Sequence, residues 1–166
     1  MTRGDRSSRR RVLAAVGGGT ALVLAGCIGG GGGGDPRYED GEIPENVSGD
    51  NRTTRETNVA YAAAQQTPSD TVTRLDNLAI VEHRFVYEDG YLGSTVQGTV
   101  ENTGTDRVEV AEVRVRVYDD AGTHLGRYLA STGDLDGGET WAFQVIVLEP
   151  PGSLADYDIS VLGTPS

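Results

Sequence analysis

From about residue 75 onward, apolar and polar positions alternate with a period of two. That is the spacing at which successive strand side chains point to opposite sides of a sheet. Ala79, Val81, His83, Phe85 and Tyr87 alternate with Ile80, Glu82, Arg84 and Val86, and Glu88-Asp89-Gly90 supplies a turn. Leu92, Val96, Gly98 and Val100 then share one face, with Thr95, Gln97, Thr99 and Glu101 on the other, before Asn102-Thr103-Gly104 turns the chain again. Val108 and Val110 share a parity, whereas Val113, Val115 and Val117 take the opposite one. A parity switch inside a strand predicts a β-bulge, placed here near Ala111-Glu112. Asp119-Asp120-Ala121-Gly122 reads as a hairpin turn, followed by Leu125, Arg127 and Leu129 and by a Gly-rich loop over 134–139. Trp141, Phe143, Val145 and Val147 alternate with Ala142, Gln144 and Ile146. Pro150-Pro151-Gly152 breaks the pattern, and Tyr157, Ile159 and Val161 complete it. Six or seven short strands separated by turn signals predict an all-β antiparallel sandwich over residues 75–162, with 163–166 as a short tail.

The preceding stretch has no such period. Residues 35–70 carry eight acids, three Arg, and Pro36, Pro44 and Pro68, with few apolar positions. Such a composition buries too little surface to offset its ordering entropy, so a disordered tether is expected over 27–74. One helical window stands out at residues 56–66, around Tyr61-Ala62-Ala63-Ala64, and alone it would be marginal. Asn46-Val47-Ser48 and Asn51-Arg52-Thr53 are N-x-S/T sequons, which makes Asn46 and Asn51 candidate glycosylation sites. As a free coil of ~46 residues the tether would span roughly 35–40 Å root-mean-square.

The N-terminus reads as an address. Arg3, Arg6, Arg9, Arg10 and Arg11 precede an apolar run over 12–25 that is interrupted by Gly17-Gly18-Gly19. Spanning a bilayer takes about 20 apolar residues, so this run suits a secretory signal better than a membrane helix. Ser8-Arg9-Arg10-Arg11-Val12-Leu13 resembles the twin-arginine export signal, with Arg9 and Arg10 as the pair. Leu24-Ala25-Gly26-Cys27 resembles a lipobox, in which small residues admit the peptidase and the Cys27 thiol takes up lipid. The expected signal peptide is residues 1–26, and the expected partner of Cys27 is the outer face of the cell membrane. One acyl chain binds only marginally, so a durable anchor needs two chains or an ether lipid. The six glycines at 29–34 score as G-x-G-x-x-G, but no strand precedes them and no phosphate-binding context follows, so they read as a spacer.

Charge and cysteine usage narrow the function. The chain has 166 residues and a formal net charge of -11, with 25 acids against 14 basic residues, all of them Arg. That balance repels phosphate and argues against nucleic-acid partners. Cys27 is the sole cysteine, so CxxC redox chemistry and Cys-based zinc sites are excluded.

Three segments resemble the FxLYD domain family. Gln97-Gly98-Thr99-Val100-Glu101-Asn102-Thr103-Gly104 is similar to its G-x-V-x-N-x-G segment. Val115-Arg116-Val117-Tyr118-Asp119 resembles the name-giving Phe-x-Leu-Tyr-Asp, with Val at both apolar places. The run from Leu135 through Glu139 to Phe143 resembles L-x-P-G-E-x-x-x-F, with Gly137 in place of Pro. The resemblance implies an immunoglobulin-like sandwich in an exported prokaryotic protein and no common activity. The acidic, lysine-free composition also resembles proteins of high-salt archaea. At molar salt the Debye length falls to ~3 Å, and like charges barely repel. The charge is then a solvent adaptation, and dilution should unfold the domain through unscreened repulsion. A circular-dichroism titration from molar salt to dilute buffer is expected to lose the β signal; an unchanged spectrum would contradict this reading.

Candidate chemistry is sparse. His83 and His124 are the only histidines and fall short of a zinc ligand set. Residues 134–139 hold Asp134, Asp136 and Glu139, a calcium candidate without EF-hand spacing that the family resemblance reads as a turn. Arg114, Arg116 and Arg127 are expected on one outward sheet face with Tyr118. They would form either an anion or glycan patch or, preferably, cross-strand pairs with Glu109 and Glu112. Trp141 and Phe143 read as core. No nucleophile elbow or Walker motif occurs. The expected protein is a monomeric, non-catalytic cell-surface lipoprotein without cofactor or metal, meeting an envelope protein or glycan. The alternatives are a ligand-binding lipoprotein serving a transporter or secreted complex, and a small extracellular hydrolase.

Overall fold

The computed structural model of the chain describes residues 34–45, 47 and 49–166. Among the described residues seven strands form two antiparallel sheets. They are β1 (Glu39–Glu42), β2 (Leu78–Glu88), β3 (Gly93–Asn102), β4 (Val108–Tyr118), β5 (His124–Leu135), β6 (Thr140–Ile146) and β7 (Asp156–Pro165). The four-stranded sheet has the order β1-β7-β4-β5, and the three-stranded sheet β2-β3-β6. Helix α1 (Thr54–Ala64) and a 3₁₀ turn at Pro151–Ser153 are the remaining elements among the described residues. The hairpins β2-β3 and β4-β5 stay within a sheet, while the β3-β4, β5-β6 and β6-β7 connections cross between sheets. The all-β sandwich predicted from the alternation is therefore observed. Its interior is filled by Phe85, Val96, Val100, Phe143 and Val145 from one sheet and Val113, Val115, Val117, Tyr157 and Ile159 from the other. Trp141 packs at the margin of this core, its ring tilted against Phe143.

Two register slips explain where simple alternation departs from the structure. In β4 the pairing with β7 shifts between Val108 and Val110, so Val108 and then Ala111, Val113, Val115 and Val117 are buried. The expected bulge exists, but it lies slightly before Ala111-Glu112. In β2 the register passes from Ile80↔Val100 to Glu82↔Thr99, leaving Val81 as the extra residue. Val81 is thereby turned outward at 57% exposure, whereas Leu78 and Phe85 both point inward. The sequence parity that grouped Val81 with Phe85 is corrected by this bulge. Gly98 makes the site possible: a Cβ there would lie 2.2 Å from the Glu82 carbonyl oxygen and 2.6 Å from the Phe143 ring.

The segment before the sandwich corrects a second expectation. From Gly34 to Arg74 the chain is not a free tether but a belt laid on the sandwich. Gly34 bridges Arg74, and the Arg74 amide donates to the Gly34 carbonyl at 3.3 Å. β1 adds an edge strand to β7, with Gly41 opposite Tyr157. Only glycine fits there, because a Cβ would fall 2.2 Å from the Tyr157 ring. The Tyr87 hydroxyl donates to the Asp50 carbonyl at 2.7 Å. Thr53 caps α1 in a capping box with Glu56, which starts the helix two residues before the window read from composition. After α1, the Ser131 hydroxyl donates to the Gln66 side chain, and Thr73 exchanges both main-chain hydrogen bonds with Gly163 at 2.9 and 2.8 Å. A polar composition predicts disorder only for a segment that must build a core of its own. This segment instead adds Ile43, Val47 and Val72 to an existing surface, and the sandwich satisfies its backbone groups. The tail is likewise part of the fold: β7 runs to Pro165, paired with Val108.

Candidate functional site

The residues singled out for chemistry fall mainly on the outer face of the four-stranded sheet. Period-two alternation along β4 brings Arg114, Arg116 and Tyr118 to that face, and cross-strand register sets Arg116 beside Arg127 on β5 and Asp158 on β7. The expected gathering is thus present, and two of its arginines are already paired. Arg116 makes a two-pronged hydrogen-bonded ion pair with Asp158, its Nε donating at 2.8 Å and its terminal nitrogen to the second oxygen. The Tyr118 hydroxyl donates to the same carboxylate at 3.0 Å. The Asp158 carboxylate holds the Arg116 pKa above its ordinary value, and burial followed by this hydrogen bond raises that of Tyr118. The belt closes the stack from outside: the Arg116 guanidinium carbon lies 3.6 Å from the Tyr38 ring centroid.

Arg114 is committed in a second way. Its Nε donates to Glu112 Oε1 at 2.6 Å, with the Glu112 side chain only 1% exposed. The other Glu112 oxygen accepts the Ser69 amide at 2.9 Å, and Arg114 donates to the Ser69 carbonyl at 3.2 Å. One ion pair therefore grips both main-chain groups of a single belt residue. Glu112 is the expected partner, but the pair lies two residues apart on β4 rather than across strands. Glu109 sits exposed beside the bulge and makes no ion pair among the described residues, nor does Arg127. Asp158 takes the role expected of Glu109. Buried pairs of this kind are costly to break singly, since the survivor is left desolvated and uncompensated.

The other candidates do not converge. His83, on β2, shares a hydrogen bond with the Tyr157 hydroxyl at 2.7 Å on the inner side of the four-stranded sheet. His124 stacks on Tyr118 on the outer side, ring centroids 5.6 Å apart. Among the described residues no group of three or more His, Cys, Asp or Glu is arranged to hold a metal ion. Asp134 pairs with Arg107 at 2.6 Å, and a Glu139 carboxylate oxygen accepts the Asp136 amide at 3.1 Å, so two of the calcium candidates serve the turn. Asn51 is exposed, and its sequon runs directly into the helix cap at Thr53. Arg9, Arg10, Cys27 and Asn46 lie outside the described residues. Among those described, no helix is long and apolar enough to cross a membrane.

Two polar clasps escaped sequence reasoning. The Arg52 guanidinium inserts into the end of the sandwich and donates to four main-chain carbonyls: Tyr91 at 2.8 Å, Val147 at 2.8 Å, Leu148 at 3.3 Å, and Leu92. Burial lowers its pKa. Asn102 is fully buried and satisfied on every side. Its amide donates to the carbonyls of Asp106 at 2.8 Å and Leu135 at 3.0 Å, and its oxygen accepts from Asn77 at 2.9 Å and the Gly104 amide at 3.1 Å. The Asn102 main chain also bonds Gly138 and Glu139. Two of the motif segments quoted above thus meet in one corner of the fold.

Burial raises the pKa of Tyr157 from 10.0 to about 12. Burial, aided by Glu149, does the same to Tyr128. A tyrosine with a raised folded pKa contributes stability that is complete below its unfolded value and is lost as pH rises toward the folded one. Stability is therefore expected to hold up to about pH 10 and then to fall by about 1.4 kcal/mol per pH unit for Tyr157 until about pH 12. Urea midpoints measured between pH 8 and 12 check this, and Tyr157→Phe should flatten part of the slope. A midpoint that stays level through pH 12 would contradict it.

No protein-family model matches the chain, and no solved structure matches it. It is similar to a protein of Methanocaldococcus jannaschii described as uncharacterized protein MJ0360, with 32% identity over 84 residues. The match covers 49% of this chain and 62% of that protein, so the similarity spans less than two thirds of the relative's length.

Proposed function

We propose that this protein is a lipid-anchored, non-catalytic module of the cell envelope, exported by a twin-arginine signal and held by Cys27 at the outer face of the membrane. The observation that favours an interaction module over a ligand-binding one is the filled interior. Val96, Val100, Val113, Val115, Val145 and Ile159 are each 0% exposed, leaving the sandwich solid where a binding lipoprotein would hold its ligand. Arg114 and Arg116, the candidates for an anion or glycan patch, are paired with Glu112 and Asp158. What remains is surface: an exposed edge strand, acidic turns and open grooves, suited to an envelope protein or glycan partner. The placement rests on the order of Arg9-Arg10, apolar run, Leu24-Ala25-Gly26-Cys27 and glycine spacer. The FxLYD kinship and the high-salt origin belong to the same proposal; the meeting of two motif segments at Asn102 and the lysine-free acidity support them.

Fractionation with mass spectrometry tests the placement. The wild-type protein is expected in the membrane pellet, cut before Cys27, with a lipid mass on that residue. Cys27→Ser should lose both the cut and the lipid. An uncut wild-type chain with a free Cys27 thiol would overturn the proposal.

A further inference from the structure

We infer that the folded domain is held within about 25 Å of the membrane surface by its Gly34–Arg74 end, rather than standing off on a long tether. The inference rests on lipidation of Cys27 and adds to it how far toward that residue the described fold reaches. Four contacts carry the folded domain back at least to Gly34. Gly34 bridges Arg74, Thr73 pairs with Gly163, Arg116 stacks on Tyr38, and β1 pairs with β7. The belt therefore consumes the length that a free tether would have used. Between Cys27 and Gly34 lie seven residue steps, which span at most about 25 Å whatever conformation they adopt. The same count made to residue 74 would have allowed a reach of ~170 Å.

The fold also shows which end is tied. Gly163, opposite Thr73, is level with Ala111 on β4. From there β4 runs seven residues to Tyr118, roughly 23 Å, before turning at Asp119-Asp120-Ala121-Gly122. The short leash ties the end carrying Arg74 and Asp76 within about 25 Å of the bilayer, and the β4-β5 turn lies on average farther out. A partner must then meet the module in the layer next to the membrane, as a component embedded in the same bilayer or lying on it.

Because Cys27 is the sole cysteine and would carry lipid, an introduced thiol is the only one free for labelling. Asp76 has a 92% exposed side chain, and Ala121 is exposed in the turn. Full-length lipidated Asp76→Cys and Ala121→Cys proteins, each carrying a donor dye, are reconstituted into vesicles whose headgroups bear an acceptor. Donor quenching is expected to be several-fold stronger at position 76 than at 121. Inserting a forty-residue Gly-Ser spacer after Gly30 should abolish the difference. Equal, weak quenching at both positions with lipid present on Cys27 would overturn the inference alone. A Cys27 without lipid would overturn the anchor and this inference together.

Discussion

Asn102→Ala is expected to be the most damaging single substitution in the sandwich. It removes two donated and two accepted hydrogen bonds at a side chain with no exposure to water. The carbonyls of Asp106 and Leu135 and the Gly104 amide then lose their partners in a corner that water enters poorly. Unsatisfied buried groups cost about 1–3 kcal/mol each, with partial relaxation, so a loss of about 3–4 kcal/mol is expected. For a domain of this size that corresponds to a drop of about 10–15 °C in melting temperature. Asn102→Asp should be no better, since it keeps the shape but replaces two donors with a buried charge. Thermal unfolding at molar salt measures both. An alanine variant melting within a degree or two of wild type would mean that the clasp does not hold the corner together.

The second large effect is expected at Arg52. Methionine there keeps most of the stem and removes all four hydrogen bonds to Tyr91, Leu92, Val147 and Leu148. The cost is expected to be about 2–3 kcal/mol, because hydrogen bonds to charged groups are worth more than neutral ones. The damage should also be local. α1 buries only Ala60 and leaves Val59 and Tyr61 exposed, so its own packing cannot keep it docked. Limited proteolysis should therefore cut Arg52→Met at Arg55 and Tyr61 while β2 to β7 stay intact. Arg52→Lys, with three donors on a single nitrogen, should fall between the two. Equal protease resistance in wild type and Arg52→Met would show that the belt is held by other contacts.

The strands were legible because each buries one face, and a period of two survives any choice of partner strand. Turns were legible at Asp119-Asp120-Ala121-Gly122 because local chemistry makes them. The bulge at Val81 was not, since it depends on Gly98 and Phe143 lying beneath Glu82, contacts that local pattern does not encode. The belt was misread for a related reason. Composition measures whether a segment can fold alone, and residues 34–74 fold only against a surface made by others. The arginine face was legible in outline, because Arg114, Arg116 and Tyr118 alternate on β4. Their partners were not: Asp158 arrives from β7, and Ser69 offers only backbone. Arg52 left no signal at all, since its acceptors are main-chain carbonyls that every sequence possesses.

Amide hydrogen exchange on the full chain at molar salt tests most directly whether residues 34–74 belong to the folded domain. Protection is expected at Thr73, at Ser69 and along α1 from Thr57, with Thr73 exchanging as slowly as its partner Gly163. Exchange at unprotected-chain rates throughout 34–74, beside a protected β3, β4 and β7, would contradict the belt and restore a long, free tether.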